Sequence, residues 1–284
     1  MRLVRYGDSG AERPGLLDAA GMVRDLSAWC ADISGSVLSR RALQALRETD
    51  VEAFPQLPEG VRLGAPVTGI SKIVGVGLNY TDHAIEAGFE IPKEPPLFLK
   101  ATSALNGPYD PILMPPRSTM LDWEVELGVV MGELARRVTE QEALQYVAGY
   151  VLANDVSERS HQFDHGGGHT KGKSADSFAP IGPWLLTADE VEDPQRLKLW
   201  LDVNGRRMQE GDTADMIFSV AALVSYVSQF MTLLPGDIIF TGTPAGVGFG
   251  LKPPVYLRAG DQLTFGITGL GEQSHQCVPS AHAG

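Results

Sequence analysis

Asp122-Trp123-Glu124-Val125-Glu126-Leu127-Gly128-Val129-Val130 begins by alternating acidic and bulky apolar side chains. That period belongs to a strand, in which every second side chain shares a face. Glu124 and Glu126 then point the same way, with Cα atoms roughly 6.5–7 Å apart. Two like carboxylates in an apolar strand cost several kcal/mol unless a counter-charge meets them. Two readings follow. Either the pair converges on a cation, or the strand has one wet face and both glutamates point into water. Asp155, placed where the apolar run Tyr150–Ala153 ends, offers a third carboxylate and favours the cation. Hard oxygen ligands with no His or Cys cluster beside them select Mg2+ or Mn2+ over zinc and leave coordination positions for water or substrate.

Outward from this strand, short apolar runs recur between Gly and Pro: Ile73–Val76, Leu97–Leu99, Val147–Ala153, Leu197–Val203, Ile238–Thr241 and Leu263–Ile267. Such punctuation predicts a mainly β barrel or roll with few helices. The clearest helix is Met216–Met231, whose apolar stripe reads as core. Residues 1–68 read as a small N-terminal α+β domain, with strands at Arg2–Tyr6 and Pro14–Leu17 and a helix near Leu38–Arg47. Residues 69–284 form the larger domain, entered through the Pro- and Gly-rich stretch Pro55–Pro66.

The 284 residues carry a formal net charge of −12, which excludes nucleic acid and anionic membranes as main partners. An acidic substrate must be captured by an ion and a few placed cations, because the global field repels it. Cys30 and Cys277 have no metal-type spacing, and neither a signal-peptide core nor a spanning segment is visible, so a cytoplasmic location is expected.

Three further segments could do chemistry. His83 and Glu86 are spaced i, i+3 on a short helix that Gly88 would stop, so they are either a base oriented by a carboxylate or an exposed ion pair. Gly166–Phe178 contains a phosphate-loop-like spacing without the preceding strand, and reads as a glycine-hinged lid carrying Lys173, whose ammonium could stabilise an oxyanion. Leu234–Pro244 reads as a strand followed by a bend. That bend offers backbone N–H groups and the Thr243 hydroxyl to an anion, or is an ordinary strand-to-loop passage.

Taken in order and spacing from Ile73 to Gly271, these segments resemble the fumarylacetoacetate hydrolase family. The matching pieces are Gly77-Leu78-Asn79-Tyr80 with His83 and Glu86, Phe98-Leu99-Lys100, Glu124-Val125-Glu126-Leu127-Gly128, Asn154-Asp155-Val156, Lys173-Ser174 and Gly242-Thr243-Pro244-Ala245-Gly246-Val247. The resemblance implies a β-roll catalytic domain, usually homodimeric, in an α+β chain. It also implies Mg2+ or Mn2+ on Glu124, Glu126 and Asp155, a His83–Glu86 dyad and a catalytic Lys173. Arg159 and Gln162 match substrate contacts, and Lys100, Gly242 and Thr243 lie in segments that border the pocket. Leu78 departs from the arginine of many members.

Within the family, Asp122-Trp123-Glu124-Val125-Glu126, Lys171-Gly172-Lys173-Ser174-Ala175-Asp176, Pro180-Ile181-Gly182-Pro183-Trp184 and Gly269-Leu270-Gly271-Glu272-Gln273 resemble bacterial 2,4-diketo-3-deoxy-L-rhamnonate or L-fuconate hydrolases. The expected reaction is therefore C–C cleavage of a small 2,4-dioxo acid to pyruvate and a second acid such as lactate. Oxaloacetate decarboxylation, acylpyruvate hydrolysis and 2-oxo-acid isomerisation fit the same features. A binding protein stabilised by a structural ion is the non-enzymatic alternative.

Overall fold

Antiparallel pairing of Val125–Met131 with Val147–Asn154 on one side and Ile238–Phe240 on the other leaves the central strand buried along its whole length. The wet-face reading of Glu124 and Glu126 falls with that observation. The computed structural model describes residues 1–164 and 166–280. Its large sheet runs in the order Val23–Asp25, Arg13–Leu17, Arg2–Tyr6, Ala179–Thr187, Val147–Asn154, Val125–Met131, Ile238–Phe240, Ile73–Val76, Leu97–Lys100. A second sheet runs Arg206–Asp212, Lys198–Val203, Gln262–Ile267, Gly271–Pro279, Ile112–Met114. Strands with few helices are what the punctuated apolar runs predict, and each run named above holds a strand within a residue or two of its expected ends.

The first residues join this frame. Arg2 and Leu3 pair with Leu186 and Leu185, and Leu3 and Leu16 belong to the same apolar cluster as Val125, Val151 and Phe265. Part of the proline-rich stretch folds back as Leu63–Gly64 against Arg5 and Tyr6.

The two nine-residue strands escaped the sequence pattern. Ala179–Thr187 contains Pro180, Gly182 and Pro183, and the ladder with Val147–Asn154 shifts register between Tyr150 and Leu152. An irregular ladder is where missing N–H donors are tolerated. In Gly271–Pro279 the inward positions are Gln273, His275 and Cys277, so period-2 burial exists without period-2 hydrophobicity.

The expected helix at Met216 begins at Val220. Ser219 caps it by accepting the Ala222 N–H, while Asn79 Oδ1 accepts the Phe218 N–H at 2.8 Å and its Nδ2 donates to the Phe218 carbonyl at 3.0 Å. Those bonds hold residues 217–218 outside the helix. Among the described residues no helix is long and apolar enough to cross a membrane.

Candidate active site

Register decides where the carboxylates meet. Val125 lies opposite Asn154, so Glu124 and Asp155, one step beyond that pair, adjoin, and the Asp155 N–H donates to the Glu124 carbonyl at 2.8 Å. Glu126 follows two residues along, on the Glu124 face. Ligand oxygens of all three lie within 4.8 Å of one another, and all three residues are buried. Asn154 Oδ1 accepts the Glu124 N–H at 2.9 Å. Gln209, reaching over from the second sheet, accepts the Val125 N–H at 3.0 Å and donates to Thr243 Oγ1 at 2.8 Å.

Buried carboxylates require cations, and the chain supplies them from three separate elements. Lys173 Nζ donates to Glu124 Oε2 at 2.7 Å and to Asp155 Oδ2 at 2.5 Å. Lys100 pairs with Asp155 Oδ1 and donates to the Val156 carbonyl at 3.3 Å. Arg159 spans Asp122 at 2.8 Å and Glu124 at 2.7 Å, and donates to Gln162 Oε1 at 3.0 Å. Glu126 receives the Gly242 N–H at 2.7 Å and has no salt bridge among the described residues.

The acidity of each group follows from this wiring. Burial pushes Glu124 up, but Lys173 and Arg159 overcome it and hold the carboxyl well below its usual range. Burial, then Asp155 and Glu124, push Glu126 well above that range. Burial opposes the charge on Lys173, yet Asp155 and Glu124 outweigh it and raise the ammonium pKa. At Lys100 burial wins and the pKa falls.

Among the described residues Asp122, Glu124, Glu126 and Asp155 share three cations, Lys100, Lys173 and Arg159, one too few for four ionised carboxylates, and Glu126, pushed toward its protonated form, is the one left over. A divalent cation supplies the missing positive charge and favours the ionised form of Glu126, and three oxygen donors at this spacing suit a hard ion. The residues present therefore fit Mg2+ or Mn2+.

His83 sits on the helix Thr81–Ala87, which ends at Gly88 with φ of 75°. That left-handed conformation costs glycine little and other residues more. The His83 side chain is 11% exposed, and its Nδ1 lies 3.6 Å from Glu86 Oε2, without a hydrogen-bond partner. Both Glu86 oxygens accept the Gly246 N–H at 3.0 Å, so the carboxylate is anchored from the loop and the pair is not an exposed ion pair. The glycine-rich passage forms the short helix His169–Lys173. A Cβ at Gly172 would come within 2.6 Å of Gln162 Cβ, and its absence lets this helix seat the buried Lys173.

A cavity of about 360 Å³ opens on these groups: Glu124 and Glu126 form part of its wall, with His83, Lys173, Arg159, Gln162 and Thr243 around them. Lys100 and Gly242 lie outside the lining. Lys100 stands against Asp155, and the Gly242 N–H is taken by Glu126, so both serve the acidic cluster rather than border the pocket as expected. The Thr243 hydroxyl likewise donates to the Val125 carbonyl at 2.8 Å, which occupies the group offered to an anion.

Residues 72–278 match the family model described as the C-terminal domain of fumarylacetoacetate hydrolase. The chain belongs to the fumarylacetoacetate hydrolase family. A Burkholderia cenocepacia relative carrying only the generic name hydrolase is 56% identical over 274 residues, covering 96% of this chain and 97% of the relative. A fumarylacetoacetate hydrolase from psychrophilic Exiguobacterium antarcticum superposes with a TM-score of 0.86 at 36% identity, over 98% of this chain and 99% of that one. A maleylpyruvate hydrolase from Sphingobium sp. SYK-6, solved with manganese(II) and pyruvate, gives 0.82 at 30% identity, over 99% and 100%.

As a member of this family, the chain shows a pocket wall whose aromatic part the sequence did not announce. Phe98 lies 5.0 Å from Lys173 Nζ and stacks on His169 at 5.5 Å. Phe249 packs 5.1 Å from Phe163 and 5.9 Å from the Arg159 guanidinium. Asp122 was also missed as a working residue, although it stood in the quoted stretch. It accepts the Gly248 and Phe249 N–H groups at 2.7 and 2.9 Å as well as Arg159. Phenylalanines carry no spacing signal, and Gln209 comes from a strand of the other sheet, so only the tertiary pairing identifies them.

Proposed function

We propose that the protein is a divalent-metal-dependent hydrolase that cleaves the C3–C4 bond of a small 2,4-dioxo acid, giving pyruvate and a second acid. The observation that carries this reading is that one cavity wall joins two carboxylates of the acidic cluster, the His83 ring and the Lys173 ammonium. Glu124, Glu126 and Asp155 would hold the ion, which supplies Lewis acidity and local positive charge toward the 2-oxo acid end. His83, with Nδ1 turned toward Glu86, takes a proton from water as the oxygen adds to C4. Lys173 stabilises the negative charge that develops on the C4 oxygen. The C3–C4 bond then breaks, the second acid departs, and the proton held by His83 returns to C3 to complete pyruvate.

The test is product analysis of Mg2+- or Mn2+-loaded protein with 2,4-dioxopentanoate, 2,4-diketo-3-deoxy-L-rhamnonate and oxaloacetate in parallel. Pyruvate with one equivalent of a second acid from either dioxo substrate, lost with EDTA and with His83→Ala, supports hydrolysis. Carbon dioxide from oxaloacetate as the only efficient reaction, insensitive to His83→Ala, replaces it by decarboxylation. A bound ion with no turnover of any 2-oxo acid replaces it by a binding protein.

A further inference from the structure

We propose that the group beyond C4 of the substrate is a flat apolar one, such as a phenyl ring, and not a hydroxylated chain; this rests on the 2,4-dioxo acid reading above. Beyond the His83 ring, whose Nδ1 has no hydrogen-bond partner, and the third Lys173 proton, both used at the reacting end, the charged and hydroxyl groups of the cavity are committed to one another. Arg159 is held by Asp122, Glu124 and Gln162, Lys173 by Glu124 and Asp155, and Thr243 by Val125 and Gln209. Apart from His169, whose ring stacks on Phe98, the rest of the wall is largely carbon: Leu78, Phe89, Pro96, Phe98, Phe163 and Phe249. A substrate hydroxyl against such a wall loses its water and finds few partners, whereas a ring gains contact with other rings at separations of about 4.5–7 Å.

Two independent features point the same way. Phe89 and Phe163 are 50% and 45% exposed although they line the cavity, so they present apolar surface to water that an apolar ligand would cover. Leu78 holds φ at 50°, a region where glycine or asparagine is more comfortable than a branched apolar residue. A leucine is thus kept on the wall against its backbone preference.

The experiment compares kcat/KM of the Mn2+-loaded protein for 2,4-dioxo-4-phenylbutanoate, 2,4-dioxopentanoate and 2,4-diketo-3-deoxy-L-rhamnonate by pyruvate release. The phenyl substrate should exceed the methyl one by about tenfold or more, the range that apolar pocket contacts supply, and the hydroxylated one should not exceed the methyl. Leu78→Asn suits the positive φ, and Phe163→Gln alters a half-exposed side chain. Each should lower the phenyl-to-methyl ratio about threefold or more. A hydroxylated substrate that matches the phenyl one, or a ratio unmoved in both variants, overturns the proposal.

Absence of pyruvate from all three substrates overturns the dioxo acid reading instead. The tail is then read by calorimetric affinity for 2-oxo-4-phenylbutanoate against 2-oxobutanoate. A preference for the phenyl compound of about tenfold is expected, and equal affinity overturns the inference.

Discussion

Replacing Glu126 by glutamine should make the metal-free protein more stable and the metal-loaded protein less so. Glu126 is 1% exposed and shares its 4.8 Å cluster with Glu124 and Asp155, while the three nearby cations pair with the other carboxylates. At an effective dielectric of about 20, each like-charge neighbour at this range repels by about 3 kcal/mol, part of which Lys173 offsets. Glutamine keeps an oxygen for the Gly242 N–H and offers its NH2 to a neighbouring carboxylate. Because burial and that repulsion push Glu126 toward its protonated form, the metal-free wild type must either carry the repulsion or hold a proton that the unfolded chain releases; glutamine avoids both and should stabilise the metal-free fold by about 2 kcal/mol near neutral pH.

For a chain of this size that is about 4–8 °C in Tm. The wild type should gain about 2.7 kcal/mol with Mn2+ at a hundred times its dissociation constant, and the variant almost none. Thermal denaturation in EDTA and along a MnCl2 series reads both numbers, and the two stability curves should cross. A Glu126→Gln protein less stable than wild type in EDTA, or one that keeps the full Mn2+ shift, would refute the charge count.

Lys173→Met removes the ammonium that bridges Glu124 and Asp155; kcat should fall by roughly a hundredfold or more, while calorimetry still finds Mn2+ bound. Asp122→Ala leaves buried Arg159 with one carboxylate and strands the Gly248 and Phe249 N–H groups, a loss of about 3–5 kcal/mol visible as a drop of about 10 °C in Tm. Burial pushes His275 down to about 4. Its Nδ1 faces the Asp110 carbonyl at 2.6 Å and its Nε2 faces Gln273 Oε1 at 2.9 Å. The second acceptor favours a charged ring, but Arg62 already pairs with the Asp110 carboxylate, and burial prevails. Because the unfolded histidine binds a proton more readily than the folded one, stability should be full above pH ~6.5 and decline by about 3 kcal/mol toward pH 4. Urea titrations from pH 4 to 7 should show a flatter profile for His275→Gln, and an equally steep one would place the proton elsewhere.

What the sequence made legible was whatever one element could contain. Glu124 and Glu126 share a face because they are two apart on a strand, and His83 and Glu86 approach because they are three apart on a helix that Gly88 ends. Asp155 joined them only through the observation that strands end near ligands; the register that places Asn154 opposite Val125 is tertiary information. The same limit explains where Lys100 and Gly242 differ from their expected part. Each was assigned by nearness to the pocket in a motif, yet whether a cation or an N–H meets substrate depends on which carboxylate already occupies it. Gln273 and His275 show the limit from the other side, since a strand whose inward positions are polar has no hydrophobic period to read. The acidic cluster is intelligible only as a whole. Its carboxylates come from strand ends and its cations from Leu97–Lys100 and two short helices, and the one carboxylate left without a cation is Glu126. No single segment states that imbalance, yet it is what gives the assembled site its demand for a divalent ion.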